Sequence, residues 1–140
     1  MTGKLYEKQA VDLLVEKGCS CVICKGDSMS PFFKRGVADL LYLVENEPSM
    51  LEGAFVADKV VGKAAAALMI TGRVAKVHAL TASRPAVELF NAYNVNISFG
   101  VLTDHIINRK GTDWCPLEKL CSDATDAAVC VSLIKGFFRK

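Results

Sequence analysis

Six cysteines, at 19, 21, 24, 115, 121 and 130, and two histidines, at 78 and 105, are the residues of this 140-residue chain best suited to nucleophilic or metal chemistry. Cys115 has the most specific setting. With Pro116, Leu117 and Glu118 behind it, it reads as the N-cap of a short helix, with Pro at the first helical position and Glu at the third, where it resembles half of a capping box. A thiolate there is stabilised by the helix dipole, which would make Cys115 a nucleophile or a redox-sensitive site. The plainer reading is that it caps the helix and packs beside Trp114, because no histidine lies near it in sequence to act as a base. His78 falls in an expected strand and His105 at a strand edge, settings in which histidine is more often structural than catalytic. Structural zinc sites need paired Cys-x-x-Cys turns, and only Cys21 and Cys24 have that spacing, inside a β-branched run. On a strand Cys19 and Cys21 share one face and Cys24 takes the other, so all three read as buried thiols.

The elements that must carry these residues can be traced along the chain. Lys4 to Lys17 has a helical pattern, with Leu5, Val11, Leu14 and Val15 on one face and Gly18 as its stop. Cys19 to Cys24 is a buried strand, Lys25 to Ser28 a turn, and Met29 to Phe33 a return strand that Pro31 confines to an edge, with Gly36 ending it. Val37 to Glu45 is a helix closed by Pro48, and Ala54 to Ala57 a short strand that leads into Asp58 to Gly62. Lys63 to Ile70, apolar almost all round, is a central buried helix ending at Gly72. Val74 to Leu80 is a strand, Ser83 caps a helix reaching Asn91, and Ile97 to Leu102 is a strand. His105 to Asn108 forms one more strand at most, Arg109 to Trp114 is a polar loop, and Ala124 to Phe138 is a last helix.

Strands alternating with helices predict an α/β fold, a three-layer α/β/α sandwich, and the early hairpin makes its sheet mixed. The length suits a single domain spanning 1–140. Hydrophobic residues make up 51% and charged residues 23%, a balance that excludes a disordered chain. A net charge of +2, evenly spread, points to neither nucleic acid nor an anionic membrane as a partner. Met1 to Glu16 lacks a continuous apolar stretch, and the longest apolar run, Ala64 to Ile70, is too short to span a bilayer. A cytoplasmic protein with reduced thiols is expected.

The element order, with an alanine-rich helix followed by a strand and a proline-containing helix, resembles the cytidine-deaminase-like fold. Four segments resemble, more closely, an uncharacterised family of bacteria and archaea in that superfamily, known as a domain of unknown function. They are Ala57 to Ala66, Ser83-Arg84-Pro85-Ala86, Ile107 to Thr112, and Cys115-Pro116-Leu117-Glu118, within a similarity covering roughly residues 4 to 122. Active deaminases of this fold open the buried helix with a zinc-binding His or Cys, an Ala and a proton-shuttling Glu, and the next helix with Pro-Cys-x-x-Cys. The matching positions hold Lys63-Ala64-Ala65 and Pro85-Ala86-Val87-Glu88-Leu89. Lysine repels a cation, and alanine and leucine have no lone pair, so the resemblance implies neither zinc nor hydrolytic deamination, and no cofactor.

The same resemblance implies two helix N-termini converging where zinc would sit, an arrangement suited to a phosphate or carboxylate. Lys63 would add charge, and Lys59 and Ser83 further donors. Asp58 would bind a ribose hydroxyl or cap the helix, and Asn108 and Arg109 would reach the same region, with Arg109 as a bidentate anion ligand. A small phosphorylated or nucleotide-like ligand is the expectation. The alternative is that Asp58 and Lys59 are solvated turn residues and Lys63 pairs with a carboxylate. Two other classes stand beside ligand binding: an enzyme with Cys115 or Lys63 as nucleophile, and a structural or interaction module with a vestigial pocket. The resemblance also implies a homo-oligomer, for which Phe137 and Phe138 offer aromatic surface unless they pack back onto the sheet.

Overall fold

The fold is taken from a computed structural model that describes residues 2–34 and 37–139, with side chains from residue 6 onward. Helix α1 (Thr2–Lys17) buries Ala10 and Leu14, one helical turn apart, with Tyr6, Val11 and Leu13 at the margins. Val15, expected on that face, is 62% exposed, because the buried stripe centres on Ala10 and Leu14. Gly18 ends the helix at φ +65°. Strands β1 (Cys21–Lys25) and β2 (Ser28–Phe32) form a hairpin closed by Gly26-Asp27, with Gly26 at φ +58°. The expected break at Gly36 and the side chain of Leu5 lie outside the described residues.

Helix α2 (Ala38–Asn46) and a 3-10 turn (Pro48–Met50) lead into β3 (Phe55–Val61), α3 (Lys63–Thr71), β4 (Lys76–Ser83), α4 (Arg84–Ala92) and β5 (Asn96–Thr103). Helices α5 (Pro116–Cys121) and α6 (Ala127–Phe138) complete the chain. The sheet order is β2-β1-β3-β4-β5, antiparallel from β2 to β3 and parallel from β3 to β5. Helix α1 packs on one face, over β1 and β3. On the other face α3 packs mainly against α4 and α6, and also against α2 and α5. Ala64 to Met69 are all buried, and the small alanine side chains let the neighbouring helices approach α3 closely. The three-layer sandwich with a mixed sheet is therefore present as expected.

Four local expectations are corrected. Strand β3 does not stop at Ala57: Asp58 pairs with Cys21 of β1 and Ala79 of β4, and Val60 with Thr81, so the ladder carries the chain to Val61. Residues 105–108 add no strand to the sheet. A single bridge, Ile107 to Trp114, closes a loop held by two hydrogen bonds between Asn108 and Thr112, with Gly111 at φ +71°. Cys19 precedes the strand and escapes its alternation, so it packs with Cys24 on the α1 side while Cys21 faces the other helices. Helix α6 begins at Ala127, because Asp126 accepts the Val129 N–H and caps it there. Phe137 and Phe138 stay half exposed and meet each other edge to face.

Gly72, which ends α3, is held against buried Leu51. A Cβ there would lie 2.6 Å from Leu51 Cδ1 and 2.8 Å from its Cβ. Gly72→Ala is therefore expected to cost about 1–3 kcal/mol in urea unfolding. Gly136, inside α6 with open space around it, is the contrast: Gly136→Ala should gain roughly 0.4–1 kcal/mol. Equal effects at the two positions would contradict the packing described for Leu51.

Candidate functional site

A cleft of about 520 Å³ opens where the end of β3 meets the N-termini of α3 and α5. Its wall begins with Asp58, a carboxyl only 8% exposed, whose Oδ1 accepts the Val60 N–H at 3.3 Å. Burial pushes this carboxyl up to about 7, against the pull of the Val60 and Lys59 N–H groups. Lys59 stands exposed on the rim. The floor is the first turn of α3. Ala64 and Ala65 line the cleft, and their N–H groups lie in the turn that has no intrahelical acceptor. Phe33, Val37, Ile106 and Leu117 supply apolar surface.

The cleft is held in shape by Glu118, only 2% exposed. Its Oε1 accepts the Lys63 N–H at 2.8 Å and its Oε2 the Ile106 N–H at 2.7 Å. One carboxylate thus caps α3 and fastens the loop after β5. Gly62, the N-cap residue, makes room for it: a Cβ there would lie 3.1 Å from Glu118 Oε1 and 3.0 Å from Ile106 Cγ1. The reading of Glu118 as half of a capping box on its own helix is corrected, since the Cys115 N–H it would have taken donates to the Ile106 carbonyl.

The residues anticipated for ligand binding divide into three groups. Asp58 and Lys59 line the cleft, and Asp58 is a buried strand residue rather than part of a solvated turn. Asn108 and Arg109 line a second groove of about 630 Å³, together with Lys110 and Thr112. Cys115 lines both cavities. Lys63 and Ser83 lie outside both linings. The Lys63 ammonium donates to the carbonyls of Ala124 (2.6 Å) and Ser122 (3.3 Å) just past α5. These are backbone acceptors, whereas the alternative sequence reading gave it a carboxylate. Ser83 is fully buried, and its Oγ accepts the Ala86 N–H at 3.3 Å as the cap of α4. Cys115 is the N-cap residue of α5 as expected, and half-buried.

The histidines lie elsewhere. His78 Nδ1 meets Ser98 Oγ at 2.7 Å, and the His105 ring stacks on Trp114 at 3.5 Å. Among the described residues no three His, Cys, Asp or Glu side chains converge to hold a metal ion. The starts of α3 and α4 carry Lys63-Ala64-Ala65 and Arg84-Pro85-Ala86, a donor set that does not fit zinc. Sequence reasoning missed one pair. Cys121 and Cys130 are both fully buried and close enough that their thiols affect each other's ionisation, and this neighbour together with burial pushes the Cys121 thiol up. Their separation in sequence gave no signal of that contact.

Two outcomes are expected. Native Asp58 keeps its proton up to about pH 7, and the unfolded chain loses it near pH 4. The native state therefore binds more protons in between, and the contribution of Asp58 to stability falls across that window by at most about 1.4 kcal/mol per pH unit. In denaturant titrations from pH 4 to 9, wild type should lose ground to Asp58→Asn up to about pH 7 and run parallel to it above. A constant difference would mean an ordinary carboxyl. Secondly, Cys115 is the one cysteine of six that is not buried, so a native thiol assay should count one fast thiol, absent in Cys115→Ser, and six after unfolding.

Residues 9–138 match the family described as TM1506, domain of unknown function (DUF1893). The crystal structure of a DUF1893 family protein (TM1506) from Thermotoga maritima is similar to this chain with a TM-score of 0.85 and 27% identity, over 92% of this chain and 87% of that one. A diaminohydroxyphosphoribosylaminopyrimidine deaminase/5-amino-6-(5-phosphoribosylamino)uracil reductase from the same organism matches with a TM-score of 0.45 and 17% identity, over 86% of this chain and 42% of that one. No curated protein matches the sequence. Among the described residues no helix is long and apolar enough to cross a membrane. With all but a few terminal residues matched, the chain belongs to the DUF1893 family.

Proposed function

We propose that this domain binds a small nucleotide-like or otherwise phosphorylated molecule in the cytoplasm, without zinc-dependent deamination. The observation that carries the reading is that two unlike cavities share Cys115 in their linings: a cleft with a buried carboxyl and the first turn of α3, and a groove carrying Arg109 and Lys110. The cleft volume suits one small heterocycle. A carboxyl that titrates near neutrality can donate to a ring nitrogen or accept from a ring N–H. The N–H groups of Ala64 and Ala65 are suited to a carbonyl or anionic oxygen on the same ring. Arg109 offers a paired donor to a phosphate in the groove, with Lys110 beside it. Lys59 gives the rim a further positive charge. The Lys63 ammonium, engaged by two carbonyls, is a weaker nucleophile candidate than Cys115, which reaches both cavities.

Calorimetry and native mass spectrometry with nucleosides, their monophosphates and inorganic phosphate test this. A monophosphate should bind more tightly than its nucleoside. Arg109→Gln should weaken the monophosphate about tenfold and leave the nucleoside unchanged, while Asp58→Ala should weaken both. Failure of the whole panel to bind folded protein at millimolar concentration would favour an interaction module. Added mass that survives denaturation and is lost in Cys115→Ser would favour the covalent reading.

A further inference from the structure

We infer that the outer edge of β5 is the interface through which two copies of this chain pair, antiparallel, into one continuous ten-stranded sheet. Strand β5 ends the sheet order, so the main-chain donors and acceptors on its outer side have no strand beside them. Natural sheets usually blunt such an edge with charge, proline, shortness or a covering element. Asn96 to Thr103 contains no charged residue and no proline. Phe99 and Val101 are 37% and 58% exposed, and whereas α1 reaches β4 through the Glu7–Lys76 ion pair and Leu80, the main helix contact of β5 is with α4. The opposite edge shows what protection looks like here: β2 is five residues long and carries Pro31, which lacks an N–H and obstructs a neighbouring strand.

That asymmetry selects the occupant. An exposed strand edge accepts another strand, and pairing β5 with the β2 of a second copy would meet Pro31 and propagate without end. Pairing β5 with the β5 of a second copy satisfies both edges at once about a twofold axis near Gly100 and closes the assembly. Gly100 suits a position near the axis, since its missing side chain already lets the Leu80 carbonyl approach. Exposed Val60 and Val101 flank Thr81 in one row across three strands, and the partner strand would extend that row.

The test is sedimentation velocity on wild type, Val101→Lys and Val101→Thr, with hydrogen exchange over residues 96–103 at low and high protein concentration. Wild type and Val101→Thr are expected at twice the chain mass. Val101→Lys, which places two lysines near the axis, should weaken the dimer at least tenfold, with an unchanged circular dichroism spectrum confirming its fold. Protection of residues 96–103 should rise with wild-type concentration. A wild-type chain that stays single at several hundred micromolar overturns the inference. So does a dimer indifferent to Val101→Lys, protection independent of concentration, or open-ended assembly.

Discussion

The carboxylate of Glu118 holds three segments distant in sequence, because one oxygen takes the N–H that opens α3 and the other the N–H of Ile106 in the loop after β5. Each donor would otherwise be a partly buried amide without a partner, a cost of about 1–3 kcal/mol apiece. The ammonium of Lys63 completes the arrangement from the other side, at the carbonyls of Ser122 and Ala124. Residue 63 therefore gives its main chain to the beginning of α5 and its side chain to the segment beyond it. The cleft depends on this brace: α3 supplies its floor, α5 its far wall, and Ile106 part of its mouth.

Electrostatics divides the site. Asp58, removed from water, is pushed toward neutrality against the pull of the backbone N–H groups it accepts. Glu118 is equally buried but spends both oxygens on main-chain donors. Two acidic side chains lining one cleft are thus held differently, Glu118 as a brace between segments and Asp58 as a protonatable part of the wall. The basic residues divide in the same way: Lys63 is absorbed by the fold, whereas Lys59 and Arg109 remain exposed at the openings.

Much of the fold was legible because its signals are local. Gly18 and Gly72 ended their helices, Ser83 with Pro85 started α4, and the all-apolar alanine run marked the buried helix. What escaped is what depends on partners far along the chain. The extension of β3 through Asp58 and Lys59 comes from pairing with β1 and β4, which outweighs the turn-like composition of Asp-Lys. Glu118 fitted a local capping box, and only the fold brings a better pair of donors to it. The resemblance pointed to the starts of α3 and α4, whereas the cleft lies at the starts of α3 and α5, and the directions of Lys63 and Ser83 depend on register that the sequence does not display. Cys121 and Cys130 meet only because α5 and α6 pack together.

The floor of the cleft is an alanine turn that offers no functional side chains, only methyl and peptide groups. Recognition written in the main chain is inherited with the backbone. Substitution of the lining residues would alter its walls and rim while the floor donors stay in place. A chain with this backbone can therefore vary its side chains here and keep the amides of residues 64 and 65 in the first turn of α3. The part of the pocket most resistant to change is thus the part that sequence comparison is least able to see.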